Sequence, residues 1–249
     1  MAHKRMLITG GSRGIGAATA RLAAAHGYDV CLSYINDQPA ADAIADYVRA
    51  KGQRALVVKA DVANEDDIEN MYAAMDTEFG GIDVLVNNAG IVKPQASVTD
   101  MTSERLRRVF EVNIMGSFLC AREAVLRMST KRGGSGGVIV NLSSAAAKLG
   151  SPHEFVDYAA SKGAIDTFTV GLAKEVATEG IRVNGIRPGL IETDIHASYG
   201  EPDRAERLRT AIPMQRAGSA EEVADAVIWL ASEQSSYVTS SIIDVAGGR

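Results

Sequence analysis

Thr9-Gly10-Gly11-Ser12-Arg13-Gly14-Ile15-Gly16 follows a short apolar run, Met6-Leu7-Ile8, and leads into an alanine-rich stretch. Apolar run, glycine cluster and amphipathic stretch specify a strand that turns sharply into a helix. Glycines allow the tight turn, and without a Cβ they let a ligand come close to the backbone. The helix start then offers free N–H groups and the positive end of a dipole, which suits a phosphate or pyrophosphate. The spacing is G-x-x-x-G-x-G through Gly10, Gly14 and Gly16. It differs from G-x-G-x-x-G, the common dinucleotide pattern. Taken alone, the loop also reads as a plain tight turn.

Outward from this loop, short β-branched runs alternate with longer amphipathic ones. Strands are expected at 6–8, 30–32, 55–58, 84–86, 138–140, 181–183 and 242–243. Helices are expected at 15–26, 40–51, 64–79, 102–128 with a break near Asn113, 156–178 and 219–231. Asn64 is a candidate N-cap, and Gly180 closes the helix before the sixth strand. This alternation implies βαβ units, hence an α/β fold with a doubly wound, mostly parallel sheet of about seven strands and helices on both faces. With no repeat and no composition break, residues 1–249 read as a single domain. The glycine-rich stretch 131–137 reads as a flexible connector. Segment 191–217 is long, charged and interrupted by Pro202 and Pro213, and the region 190–217 is a candidate substrate lid.

Composition narrows the function classes. The chain has 249 residues, 46% hydrophobic and 23% charged, with a formal net charge of -5. That is the ordinary globular mix, and the acidic balance argues against nucleic acid and anionic membrane as partners. Cys31 and Cys120 lie in apolar runs and read as buried free thiols rather than a disulfide. The four histidines are scattered without metal-ligand spacing, so no metal is expected. The basic start, Met1 to Arg5, is not followed by a signal-peptide core, and no run approaches a membrane span. The expected compartment is the cytoplasm.

Three further motifs stand in register with the glycine loop: Asn87-Asn88-Ala89-Gly90 after the fourth strand, Tyr158-Ala159-Ala160-Ser161-Lys162, and Arg187-Pro188-Gly189 after the sixth. Together, and across essentially the whole chain, the four resemble the short-chain dehydrogenase/reductases, in particular the glucose-dehydrogenase-like and acyl-carrier-protein-reductase-like branch. The resemblance implies a Rossmann-type fold, an NAD(P)-dependent oxidoreductase interconverting an alcohol and a carbonyl, and a homotetramer, with a dimer as the lesser alternative.

Tyr158 and Lys162 are four apart on an expected helix and share a face. A nearby ammonium favours the phenolate, so the phenol is expected to titrate below its usual range and to act as general acid/base. A surface Tyr–Lys pair is the bland alternative. The resemblance places the substrate-orienting serine at Ser144, with Ser143 as the minority candidate. It makes Asn113 the residue that interrupts its helix and holds a proton-relaying water. An ordinary polar residue at a helix bend is the other reading of Asn113.

The dinucleotide is read from the end of the second strand. In NAD-preferring relatives an acidic residue stands there; here the position is Tyr34, and Arg13 supplies a cation for a 2′-phosphate. NADP(H) is therefore favoured, with NAD(H) as the alternative if Asp37 reaches the ribose. By resemblance, the remaining cofactor contacts are Gly10, Ser12, Gly14, Ile15 and Gly16 in the loop, and Asp61, Val62 and Asn87 around the adenine. Ala89 and Gly90 follow. Tyr158 and Lys162 are shared with catalysis, and Pro188, Gly189, Ile191 and Thr193 lie on the nicotinamide side. Asp61 also reads as a plain loop or capping residue.

The substrate pocket is expected from 145–157 and 190–214, with Leu149, His153, Phe155, Ile195, His196 and Tyr199 as candidates. This mixed wall names no particular carbonyl or alcohol. Relative to the family, Ala246 stands where aspartate is frequent, and Ser240 where glycine is. Two other readings compete: a non-catalytic dinucleotide sensor, and a sugar-nucleotide epimerase, for which the chain is short.

Overall fold

The computed structural model describes residues 3–193, 200–201 and 203–249. Seven strands form one parallel sheet in the order β3-β2-β1-β4-β5-β6-β7. They are β1 Arg5–Ile8, β2 Asp29–Tyr34, β3 Ala55–Lys59, β4 Val84–Asn87, β5 Gly137–Leu142, β6 Ile181–Pro188 and β7 Ile242–Val245. The helices are α1 Gly14–Ala25, α2 Gln38–Ala50, α3 Glu65–Phe79, α4 Ser103–Phe110, α5 Gly116–Met128, α6 Ala146–Leu149, α7 Val156–Val176, α8 Arg204–Leu208 and α9 Ala220–Ala231. This is the expected single-domain Rossmann-type arrangement. The winding reverses between β1 and β4, which pair directly, and a crevice opens there beyond the carboxyl ends of the strands.

The apolar runs follow from burial on both faces. Side chains alternate along a strand. Met6 and Ile8 therefore join one core, with Val30, Val86, Ala20 and Val227, while Leu7 joins the other, with Leu85, Ile139, Met71 and Tyr72. Alanines at 17, 20, 23 and 24 let α1 lie close on the sheet.

Local signals end the helices where expected. The Asn64 side chain caps α3 by accepting from Asp66 N at 2.9 Å. Ser219 and Glu222 form a capping box at α9. The break at Asn113 is one π-helical turn, Glu111–Met115, between α4 and α5. Ser240, expected to replace a glycine, has a left-handed φ of 61°.

Two expectations are revised. The stretch 131–137 is not a loose connector: a Cβ on Gly134 would meet the Met128 backbone at 2.5 Å, and Gly136 N–H donates to the Met128 carbonyl at 2.7 Å. Gly134, Gly136 and Gly137 serve close packing, and Gly133 serves a left-handed φ of 88°. Segment 191–217 is also partly regular, carrying α8 and a 3-10 turn at Arg209–Ala211. The short helix α6, inside the expected pocket wall, has no periodic signature because four residues are too few to show one.

Candidate active site

A cavity of about 460 Å³ crosses the carboxyl ends of the central strands, from the glycine loop and the end of β2 to Tyr158 and the segment after β6. Its first wall is the loop. Gly10 has φ of 64°, and its N–H donates to Ser33 Oγ at 3.1 Å. The Asn88 amide donates to the carbonyls of Thr9 and Gly10, each at 2.9 Å, and Thr9 Oγ1 accepts from the N–H groups of Asn88 and Ala89 at 3.0 Å. The β1 and β4 ends are thus stitched together. Asn88 lay inside a quoted motif, but sequence reasoning passed over it in favour of its neighbours.

The loop fits a pyrophosphate. Arg13 is the N-cap of α1 and makes no side-chain cap bond, and the first turn holds no acidic residue, so the helix start is open to an anion. A Cβ on Gly16 would collide with the Gly10 carbonyl and stand 2.6 Å from Asn88 Nδ2. The Arg13 guanidinium is exposed on the cavity rim, and among the described residues no carboxylate pairs with it. Tyr34 lines the cavity at the end of β2. Asp37 lines it as well, but its carboxylate caps α2, accepting from Ala40 N at 3.0 Å.

Of the expected cofactor contacts, Gly10, Ser12, Arg13, Gly14, Ile15, Tyr34, Val62, Ala89, Gly90, Tyr158, Lys162, Pro188, Gly189, Ile191 and Thr193 line the cavity. Gly16, Asp61 and Asn87 are not on its wall. Gly16 packs behind the loop. Asp61 is paired with Arg108 at 2.6 Å, and the Asn87 amide donates inward to Asn141 Oδ1 and the Ser117 carbonyl.

The second wall carries the chemistry. Tyr158 and Lys162 stand one turn apart on α7, with Lys162 Nζ 5.6 Å from the centre of the Tyr158 ring. Lys162 Nζ donates to the Leu142 carbonyl at 2.7 Å. Ser144, on the loop after β5, lines the cavity with Tyr158, and its hydroxyl accepts from Ala146 N at 3.1 Å. Ser143 instead turns inward and donates to the Lys162 carbonyl at 3.1 Å. Asn113 is fully buried; its Oδ1 accepts from Ile91 N at 2.8 Å, and its Nδ2 donates to the Ile91 carbonyl and Ser161 Oγ, each at 3.0 Å. Gly90 keeps a gap open, since a Cβ there would lie 3.4 Å from Asn113 Oδ1 and 3.5 Å from Lys162 Nζ.

The electrostatics correct one expectation. Burial holds the Tyr158 phenol above its usual range, and the Ser144 hydroxyl only partly opposes this. Burial also draws the Lys162 ammonium down to about 8, against the pull of Asp166 one turn further along. A lysine that is itself discouraged from carrying charge does not depress its neighbour as a solvated one would.

On the substrate side, Leu149 and Phe155 line the cavity with Ile91, Val92 and Leu190. His153 does not; it is exposed on a left-handed turn with φ of 62°. Ile195, His196 and Tyr199 lie outside the described residues. Arg204 of α8 also lines the cavity, paired with Glu154 at 2.5 Å and stacked over the Phe155 ring. Arg204 lay in a segment without periodicity, and nothing in the sequence marked it.

Residues 10–249 match the family profile described as enoyl-(acyl carrier protein) reductase. An uncharacterized oxidoreductase of Escherichia coli (strain K12) is 54% identical over 243 residues, covering 98% of both chains. A short-chain type dehydrogenase/reductase from Mycobacterium marinum superposes with a TM-score of 0.91 at 36% identity, covering 98% of this chain and 94% of that one. A short chain dehydrogenase from Burkholderia cenocepacia J2315, solved in complex with NADP, superposes with a TM-score of 0.89 at 32% identity, over 98% and 97%. Matched over nearly its whole length, this chain belongs to the short-chain dehydrogenase/reductase family of NAD(P)-dependent oxidoreductases.

Proposed function

We propose that the protein is an NADP(H)-dependent oxidoreductase acting on a carbonyl/alcohol pair, with Tyr158 as its acid/base. The convergence of Ser144, Tyr158 and Lys162 on the wall of the cavity that the glycine loop also lines carries this reading. A nicotinamide dinucleotide bound in the cavity supplies or accepts the hydride. Ser144 donates to the substrate oxygen and stabilises the charge that develops there. Tyr158, kept protonated by burial, gives its proton to that oxygen as the carbonyl is reduced, and takes it back in the reverse direction. Lys162 Nζ, anchored on Leu142, stands behind the phenol to restore the proton. Asn113 orders the Ile91 backbone beside Lys162 and is the expected relay toward solvent.

The glycine loop and the start of α1 hold the pyrophosphate. Arg13 takes the 2′-phosphate, supported by its unpaired guanidinium, by Tyr34 at the strand end and by the engagement of Asp37 as a cap. The Burkholderia relative solved with NADP agrees with this choice. The segment 190–217 acts as the substrate lid, with Arg204 held to Glu154 beside the cavity. We read the assembly as a homotetramer, since Phe118 and Leu126 of α5 and Trp229 and Tyr237 near β7 leave apolar surface exposed. Among the described residues no helix is long and apolar enough to cross a membrane. The two free thiols are consistent with the cytoplasm.

The test is calorimetric titration with NADPH and NADH, followed by turnover of aliphatic ketones, steroid ketones and β-ketoacyl thioesters, read at the nicotinamide absorbance. Tight NADPH binding with turnover of any of these supports the reading. Absence of binding by either cofactor would overturn it.

A further inference from the structure

Helix α7 is tied to the α4–α5 region and to the loop after β4 at two levels, one helical turn apart. At the first, Asn113 bonds both backbone groups of Ile91 and donates to Ser161 Oγ at 3.0 Å. At the second, Arg105 of α4 donates to Pro94 O through Nη1 at 2.5 Å, and to both oxygens of Asp157 through Nε at 2.7 Å and Nη2 at 3.1 Å. Asp157 directly precedes Tyr158, and Ser161 directly precedes Lys162. Both rungs end on the peptide groups of Tyr158. Asp157 Oδ1 accepts from Tyr158 N at 2.9 Å, and Ser161 Oγ donates to Tyr158 O at 2.7 Å.

The second rung is a buried ion pair, with side-chain exposures of 14% for Arg105 and 1% for Asp157. Desolvation offsets most of the attraction in such a pair, so its stabilisation is small. A guanidinium fork on a carboxylate does fix relative orientation closely. Here the fork holds the first turn of α7 against α4, and the third donor holds the loop that brings Ile91 and Val92 to the cavity. The N-cap of α7, Phe155, makes no side-chain cap bond, so Asp157 is also the group that satisfies a donor of that turn.

We propose that Arg105 and Asp157 are positioning residues for the reaction, setting the Tyr158 phenol against Ser144 and against the loop wall of the cavity. The proposal rests on Tyr158 being the acid of the reaction above.

The test uses the full chain labelled with ¹³C at tyrosine Cζ, with the Tyr158 resonance assigned by its loss in Tyr158→Phe. The double variant Arg105→Met/Asp157→Asn removes the bridge, leaves no buried charge uncompensated and keeps an acceptor for Tyr158 N. Its Tyr158 resonance is expected to shift or broaden while the melting temperature and the NADPH dissociation constant stay at wild-type values. With whichever ketone or thioester the wild type reduces, kcat is expected to fall roughly ten- to a hundredfold, as a displaced reacting group does. KM should change less, and Arg105→Lys should restore part of kcat. That single variant keeps Asp157 compensated, and it carries the resonance test if the double variant does not fold. An unshifted Tyr158 resonance in the folded variant overturns the proposal, as does a kcat loss that simply follows the melting temperature. Failure of the wild type to reduce any carbonyl would count against the reading of the site, and the resonance would still decide the positioning role.

Discussion

Lys162 Nζ donates to the Leu142 carbonyl at 2.7 Å and so ties helix α7 to the end of strand β5, beneath the reacting end of the cavity. The bond satisfies one donor of a buried ammonium. It does not replace the water removed, which is why the group falls from 10.5 to about 8.

That depression makes stability depend on pH. Below about pH 8, Lys162 is protonated in both states and the fold bears the full cost of burying its charge. Between about 8 and 10.5 the unfolded chain holds a proton that the folded chain has lost, so this contribution to stability rises with pH. Cys31 and Cys120, pushed up to about 12 by burial, act in the opposite direction above pH 9, and they cancel in a comparison with Lys162→Met. Denaturant titrations should show wild type gaining up to about 3 kcal/mol on this variant from pH 7.5 to 10.5. A difference flat with pH would show that the ammonium is not buried as described.

Tyr158→Phe and Ser144→Ala remove two different hydroxyls from one cavity wall. Loss of the proton donor should lower kcat by about 10²–10⁴. Loss of the oxyanion donor should lower it by about 10²–10³. Neither group touches the glycine loop, and Tyr158→Phe keeps the ring while removing only its hydroxyl, so both variants should still bind NADPH tightly. Single-turnover kinetics with calorimetry separate the two effects, and near-normal turnover in Tyr158→Phe would remove it as the acid.

Arg13→Ala tests the cofactor choice. A charge-assisted bond to a 2′-phosphate contributes about 1.5–3 kcal/mol, so NADPH affinity should fall roughly ten- to a hundredfold. NADH has no group for this contact, and its affinity should change little. Equal losses for both cofactors would show that Arg13 serves the pyrophosphate instead.

Much of this is legible in the sequence, for physical reasons that also mark the limit. The alternation at Met6, Leu7 and Ile8 encodes two-sided burial, and glycine, asparagine and serine encode turns and caps through their own chemistry. Tyr158 and Lys162 were legible because a helix puts residues four apart on one face. The direction of the Tyr158 shift was not, because desolvation depends on the whole fold around it. Arg105 and Asp157 are 52 residues apart, and Asp61 and Arg108 are 47 apart; no local pattern announces either pair. The resemblance directs Asp61 to the adenine, and no sequence window shows that Arg108 pairs with it.

Ser240 offers a test of the fold itself. Its φ of 61° is a conformation in which an L side chain crowds the backbone, and its N–H is committed to the Val183 carbonyl at 2.8 Å, so the turn cannot simply relax. Holding a non-glycine residue there costs of order 1–3 kcal/mol. Glycine would relieve that strain but adds freedom to the unfolded chain, which returns about 0.4–1 kcal/mol of the gain. Among the described residues the Ser240 side chain makes no hydrogen bond, so little else is lost. Ser240→Gly should therefore raise the melting temperature, with a net stabilisation of about 1 kcal/mol. NADPH binding should be unaffected, because the turn lies before β7 and away from the cavity wall. A lower melting temperature would mean that the serine is held by contacts stronger than the strain, and that the exchange for glycine matters to more than this turn.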